Sequence, residues 1–183
     1  VRSRRQRQMC IRDSYDTVIG NPPFIRYQGF TGESRARARE AALRGGVALS
    51  GLASSWAAFT IHSALFLRSG GRLGLVLPAE LLTVNYAAPV RTFLFESFRS
   101  VELVLFEEQV FPGAETEVVL LLADGYQEGP SAHATIRQAR AASELTALAP
   151  GQQWTPVDPA AKWIDSLVSP AATTAPVSYT HLR

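Results

Sequence analysis

Residues 15–24 read Tyr-Asp-Thr-Val-Ile-Gly-Asn-Pro-Pro-Phe, and this stretch decides the fold. Tyr15–Gly20 is short, apolar and β-branched, the composition of a buried strand. Asn21-Pro22-Pro23 must end it. Proline has no N–H for a ladder, fixes φ, and pushes the residue before it into extended geometry. The strand therefore stops abruptly at its carboxyl end, where an amide side chain and free carbonyls are displayed.

Reading outward, Phe24 to Phe30 continues as loop, with Gly29 and Gly32 marking turns. Glu33–Arg44 is a good helix former, broken by Gly45-Gly46. Ser50–Ser54 is small and flexible. Ser55–Arg68 has apolar residues at helical spacing, with Ser55 as N-cap and Gly70-Gly71 as a stop. Arg72–Leu77 is a second buried strand, closed by Pro78. Ala79–Phe98 is a helix with a break at Pro89. Ser100–Phe106 and Val118–Ala123 are the third and fourth strands, joined by the loop Glu107–Glu117.

This alternation predicts an α/β domain with a parallel sheet and helices on its faces. The last connection, about ten residues long, is too short for a helical crossover, so the final strand is expected antiparallel. After Gly125 the chain turns polar. Thr135–Leu148 reads as a short strand then a helix, and Pro150–Pro159 as a connector before a short helix around Trp163. Residues 126–176 are expected to lead from the core toward a further target-recognition domain. No repeat or low-complexity run is present.

With 46% hydrophobic and 19% charged residues, the 183-residue chain has the balance of one ordinary globular domain. It has no apolar run of the roughly 18–20 residues needed to cross a bilayer, and no signal-peptide pattern, so a cytoplasmic protein is the expectation. Residues 1–14 (VRSRRQRQMCIRDS) and 177–183 (VSYTHLR) resemble translated sequencing-adapter sequence, and the chain reads as an open-ended fragment. The alternative for residues 1–14 is a basic nucleic-acid-binding arm. The formal net charge is +2, yet five Arg and one Asp in residues 1–14, with Arg183, contribute +5. The rest of the chain is thus −3, and the overall basicity is no DNA-binding signature. Cys10 and Met9, the single Cys and Met, fall in the same suspect stretch. The body has no thiol nucleophile and no Cys-based metal site.

The display at residues 21–24 fits one chemistry well. An exocyclic ring amine is a poor nucleophile because its lone pair is delocalised into the ring. Two acceptors on its two hydrogens pull it toward tetrahedral geometry and stabilise the positive charge that develops as a methyl group arrives. The Asn21 side-chain oxygen supplies one acceptor and the Pro22 carbonyl the other. Phe24 offers a flat face for base stacking. Carbon methylation of cytosine needs a Cys nucleophile, which the body lacks. Ligands on open α/β sheets bind beyond the carboxyl ends of strands, where this motif lies. A base within a duplex must be flipped out to reach it.

The stretch DTVIGNPPFIRYQ resembles the catalytic motif of adenine-N6 DNA methyltransferases from restriction-modification and phage-defence systems. The resemblance continues through WAAFTIHSALFLRSGGRLGLVLPAELL, VRTFLFESF and EEQVFPGAETEVVLLLADG, covering roughly residues 15–125. It implies the C-terminal half of a Rossmann-like, class I S-adenosylmethionine-dependent methyltransferase domain whose first strands are missing. Such domains end their parallel sheet with an antiparallel strand. It implies S-adenosyl-L-methionine as cofactor, bordered by Pro23, and Asn21, Pro22, Pro23 and Phe24 as catalytic residues. It implies Phe111 as the second base-stacking aromatic, opposite Phe24. Double-stranded DNA is the implied partner, in a bacterial or archaeal cytoplasm, with a nuclease domain or subunit left open. The family's glycine-rich cofactor motif precedes the catalytic motif and is not found here, so the fragment alone is expected to be inactive. Gly70-Gly71-Arg72-Leu73-Gly74 opens a strand rather than following one, and is a turn.

Blander readings stand beside these. Asn-Pro-Pro-Phe in isolation is often a simple turn. Asp16 is read as a strand-start residue rather than a cofactor contact, and His62 as structural rather than a metal ligand. Arg26, Arg35, Arg37, Arg39 and Arg44 suit phosphate contacts, or, with Glu33 and Glu40 among them, a solvated helix face. Two other functions remain: an amine methyltransferase acting on ribosomal RNA guanine or protein glutamine, and a non-catalytic DNA-specificity module.

Overall fold

A computed structural model describes residues 14–111, 113 and 116–164. The two adapter-like ends lie outside the described residues, apart from Ser14. The elements run β1 (Tyr15–Gly20), α1 (Gly32–Arg44), α2 (Ser55–Ala64), β2 (Leu67–Pro78), α3 (Glu80–Thr83), α4 (Ala88–Ser97), β3 (Phe98–Phe106), β4 (Val118–Tyr126), β5 (Ala134–Ala139) and β6 (Gln152–Trp154). One six-stranded sheet carries them in the order β1-β2-β4-β3-β5-β6.

β1 pairs parallel with β2, and β4 pairs antiparallel with both β2 and β3. The short loop thus forces the antiparallel return that its length predicts, and β4 inserts between β2 and β3. Alternate residues Leu73, Leu75 and Leu77 of β2, Val101, Leu103 and Leu105 of β3, and Val119, Leu121 and Ala123 of β4 are buried on one face. α2 packs on β2, α4 on β3, and the two helices on each other. Trp56, Ile61 and Leu94 are fully buried between these layers.

The opposite face is only partly covered. Ile19 is 80% exposed and Leu122 38% exposed, one on each side of Gly74. This corrects the expectation of a buried first strand. β1 has the expected bounds, but it is a sheet edge whose second side pairs with no described strand.

Other boundaries move for local reasons. β2 begins at Leu67 and runs through Gly70-Gly71, which therefore do not stop the preceding helix. Gly70 sits at φ +75°, and a Cβ there would come 2.8 Å from Glu128 Oε1. The expected helix over residues 79–98 is divided at residues 84–87 rather than at Pro89, which lies in the first turn of α4, where no N–H is needed. Arg91 explains the division. Its buried guanidinium donates to the carbonyls of Leu81 (2.9 Å) and Val84 (3.0 Å) at the break, and to that of Ala160 (2.7 Å) from the later part of the chain. Burial lowers the Arg91 pKa to about 10, so it stays charged at neutral pH.

Residues 126–164 join this body. β5 pairs parallel with β3, and β6 antiparallel with β5. The helix expected after β5 is a short 3-10 turn, Ala142–Ala147. Trp163 is buried, edge-on to Phe95 and Trp154. The rest of its expected helix lies outside the described residues.

Candidate functional site

β1, β2 and β3 all point one way, so their carboxyl ends share one edge of the sheet. At that edge Pro78 faces Val118, and Leu105 faces Val119. Asn21–Phe24 leave β1 here, and the loop carrying Phe111 leaves β3 here. That loop is tied back where the Ala79 N–H donates to the Glu117 carbonyl, 2.8 Å.

Asn21 and Pro23 are exposed, while Pro22 and Phe24 are half-buried. Phe24 packs against the rim of the core, and Phe111 is 40% exposed. The two rings are brought to the same edge, but no ring contact joins them among the described residues. Neither the Asn21 amide nor the Pro22 carbonyl makes an intramolecular hydrogen bond among the described residues.

Pro23 and Ile25, on either side of Phe24, are held by a residue read from sequence as a helix cap. The cap position belongs to Ser54, and Ser55 is the first residue of α2. The fully buried Ser55 hydroxyl donates to the Pro23 carbonyl (2.5 Å) and accepts from the Ile25 N–H (2.9 Å). The Ser55 N–H donates to the Ile25 carbonyl, 3.0 Å. No spacing rule in the sequence announces a reach of some 30 residues; the one signal is a Ser-Ser pair before an apolar helix.

Beside it lies a polar cluster that sequence reasoning also missed. The Tyr86 hydroxyl donates to Glu80 Oε2 (2.5 Å), lies 2.9 Å from the Ser54 hydroxyl, and accepts from Trp56 Nε1 (3.2 Å). Burial, reinforced by the Glu80 carboxylate, pushes the Tyr86 pKa up to about 12.

Other sequence candidates fall away from this edge. Asp16, near the opposite end of β1, pairs with Arg68 on the surface. His62 packs edge-on against Phe66. Among the described residues no cluster of His, Cys, Asp or Glu could hold a metal ion. No helix among them is long and apolar enough to cross a membrane.

Fold and site edge together define part of a class I Rossmann-like methyltransferase domain. The family model for the Eco57I restriction-modification methylase matches residues 6–111, and the chain belongs to that family. Among curated proteins, the Type II methyltransferase M.AccI of Acinetobacter calcoaceticus is 28% identical over 113 residues, covering 61% of this chain. M.HincII of Haemophilus influenzae is 27% identical over 110 residues, covering 60% of it. The match spans only about a fifth of the length of these relatives, 21% and 22%. A solved nuclease-deletion mutant of the Type ISP restriction-modification enzyme LlaGI, in complex with a DNA substrate mimic, superposes with a TM-score of 0.63 at 13% identity. It covers 87% of this chain and 16% of its own. A DrdV–DNA complex gives 0.61 at 11% identity, covering 88% and 19%. At these identities the structures speak to the fold alone.

Proposed function

We propose that the chain is the base-binding part of an adenine-N6 DNA methyltransferase belonging to a restriction-modification system. The observation that carries this reading is the division of labour at residues 21–25. The Pro23 carbonyl and Ile25 N–H are consumed by Ser55, while the Asn21 amide and Pro22 carbonyl are left for a substrate. Those two acceptors take the two hydrogens of the adenine amine and concentrate its lone pair. They also stabilise the charge that develops on nitrogen. Phe24 and Phe111 stack on the two sides of the flipped base. The amine loses its extra proton to solvent after transfer, and no covalent enzyme intermediate forms.

Family membership implies S-adenosyl-L-methionine, which supplies the methyl group when bound. The residues present offer it one neighbour, Pro23. Gly70-Gly71 lies within β2 at the opposite edge of the sheet and is no cofactor loop. The described residues therefore do not by themselves make up the cofactor site.

Double-stranded DNA is the proposed partner. The 25–54 segment beside the motif carries five arginines and two glutamates. In the full-length protein, Asn21→Ala is expected to lower methyl transfer to adenine-containing duplexes by about 100- to 1,000-fold, measured with labelled methyl donor. Unchanged transfer contradicts the role of Asn21. Label entering RNA or protein instead of DNA favours guanine or glutamine as the target.

A further inference from the structure

Phe24 follows two prolines, so the backbone before it offers no N–H to any ladder. A loop built this way has few means of fixing an aromatic ring. The Pro23 carbonyl belongs to the peptide plane on one side of Phe24, and the Ile25 N–H to the plane on the other. A single hydroxyl, that of Ser55, bonds both, at 2.5 and 2.9 Å. Holding these two planes relative to each other holds the φ and ψ of Phe24. The Ser55 N–H fixes the following plane through the Ile25 carbonyl, 3.0 Å.

Ser55 is placed for this by its burial at the start of a packed helix. It opens α2, in which Trp56, Ala57, Ile61 and Ala64 are fully buried. Its hydroxyl gives its one donor to the loop and accepts one bond from it, and the residue itself is fully buried. The hydroxyl makes no cap bond to its own helix. Its bonds run to the motif loop instead.

We infer that Ser55 is the positioning residue for the aromatic base platform, setting the backbone on both sides of Phe24. This rests on the reading of Phe24 as the surface on which the base stacks. Ser55 touches no reacting atom. Its removal loosens the geometry in which the amine is presented, and a misplacement of about an ångström can cost about 100-fold in rate.

The test uses the full-length protein with Ser55→Ala, Ser55→Cys, Ser54→Ala and Asn21→Ala. Ser54 is the matched control, since its hydroxyl meets Tyr86 and not the loop. Duplex containing 2-aminopurine at the target position reports stacking of the flipped base. Ser55→Ala is expected to lower kcat about 10- to 100-fold, with KM for duplex within about threefold, and to leave the flipped 2-aminopurine brighter because it is poorly stacked. Ser54→Ala should keep kcat and the fluorescence of the parent. Should the alanine variant not fold, Ser55→Cys, close in size and poor at hydrogen bonding, should show the same losses. A folded Ser55 variant with undiminished kcat, or one no worse than Ser54→Ala, overturns the inference. If Asn21→Ala is also fully active, the functional reading itself fails; if only the Ser55 variants are active, the positioning role alone fails.

Discussion

At the scale of single residues, Tyr86 makes a pH-dependent contribution whose sign can be worked out. Its pKa is raised from 10.0 to about 12, because burial and the nearby Glu80 carboxylate both disfavour a phenolate. A proton held more tightly in the folded state stabilises that state. The stabilisation is fully present below pH 10, the unfolded value, and is lost as pH rises through about 12. Tyr86→Phe is therefore expected to flatten the fall in stability over this window, measured by denaturant unfolding at a series of pH values. An equally steep fall in the variant contradicts the assignment. Ser54 and Trp56 share this cluster, which lies beside the start of α2 and, among the described residues, makes no hydrogen bond to the motif loop.

Among the elements, α1 separates two kinds of arginine that look alike in sequence. Arg37 pairs with Glu33 and Arg44 with Glu40, each one helical turn apart on an exposed face. Such surface pairs are worth only about 0.3–0.5 kcal/mol, but they occupy both guanidinium groups. Arg26, Arg35 and Arg39 make no ion pair among the described residues. If the segment meets a phosphate backbone, Arg35→Ala and Arg39→Ala should each reduce the slope of log affinity against log salt by about 1, and Arg37→Ala and Arg44→Ala by less. Equal effects from all four would assign the segment a diffuse field instead of discrete contacts. Local signals carried most of the elements. Apolar β-branched runs marked β1 and β3, Gly45-Gly46 marked the end of α1, and the short loop Glu107–Glu117 marked the antiparallel β4. Signals that depend on distant partners misled. Gly70-Gly71 reads as a helix stop but is a bend in β2, shaped around Glu128. Ser55 reads as a cap because its partners, Pro23 and Ile25, lie 32 and 30 residues away. The break at residues 84–87 depends on Arg91 reaching back to carbonyls seven and ten residues earlier.

For the whole molecule, the uneven covering of the sheet is the governing fact. One face is covered by α2 and α4; the other leaves Ile19 and Leu122 exposed, and the outer side of β1 pairs with no described strand. The relatives are about five times longer than the stretch they share with this chain. We expect further strands of the full-length protein to pair along β1 and carry the cofactor site, which places donor and base at the same carboxyl edge. The central claim is that this edge presents an adenine amine for methylation. The most direct measurement is to incubate the full-length protein with duplex DNA and methyl-labelled S-adenosyl-L-methionine, digest the DNA to nucleosides, and identify the labelled one. The account predicts label in N6-methyladenine, lost in Asn21→Ala. Label in a cytosine derivative, or N6-methyladenine undiminished in that variant, would contradict it.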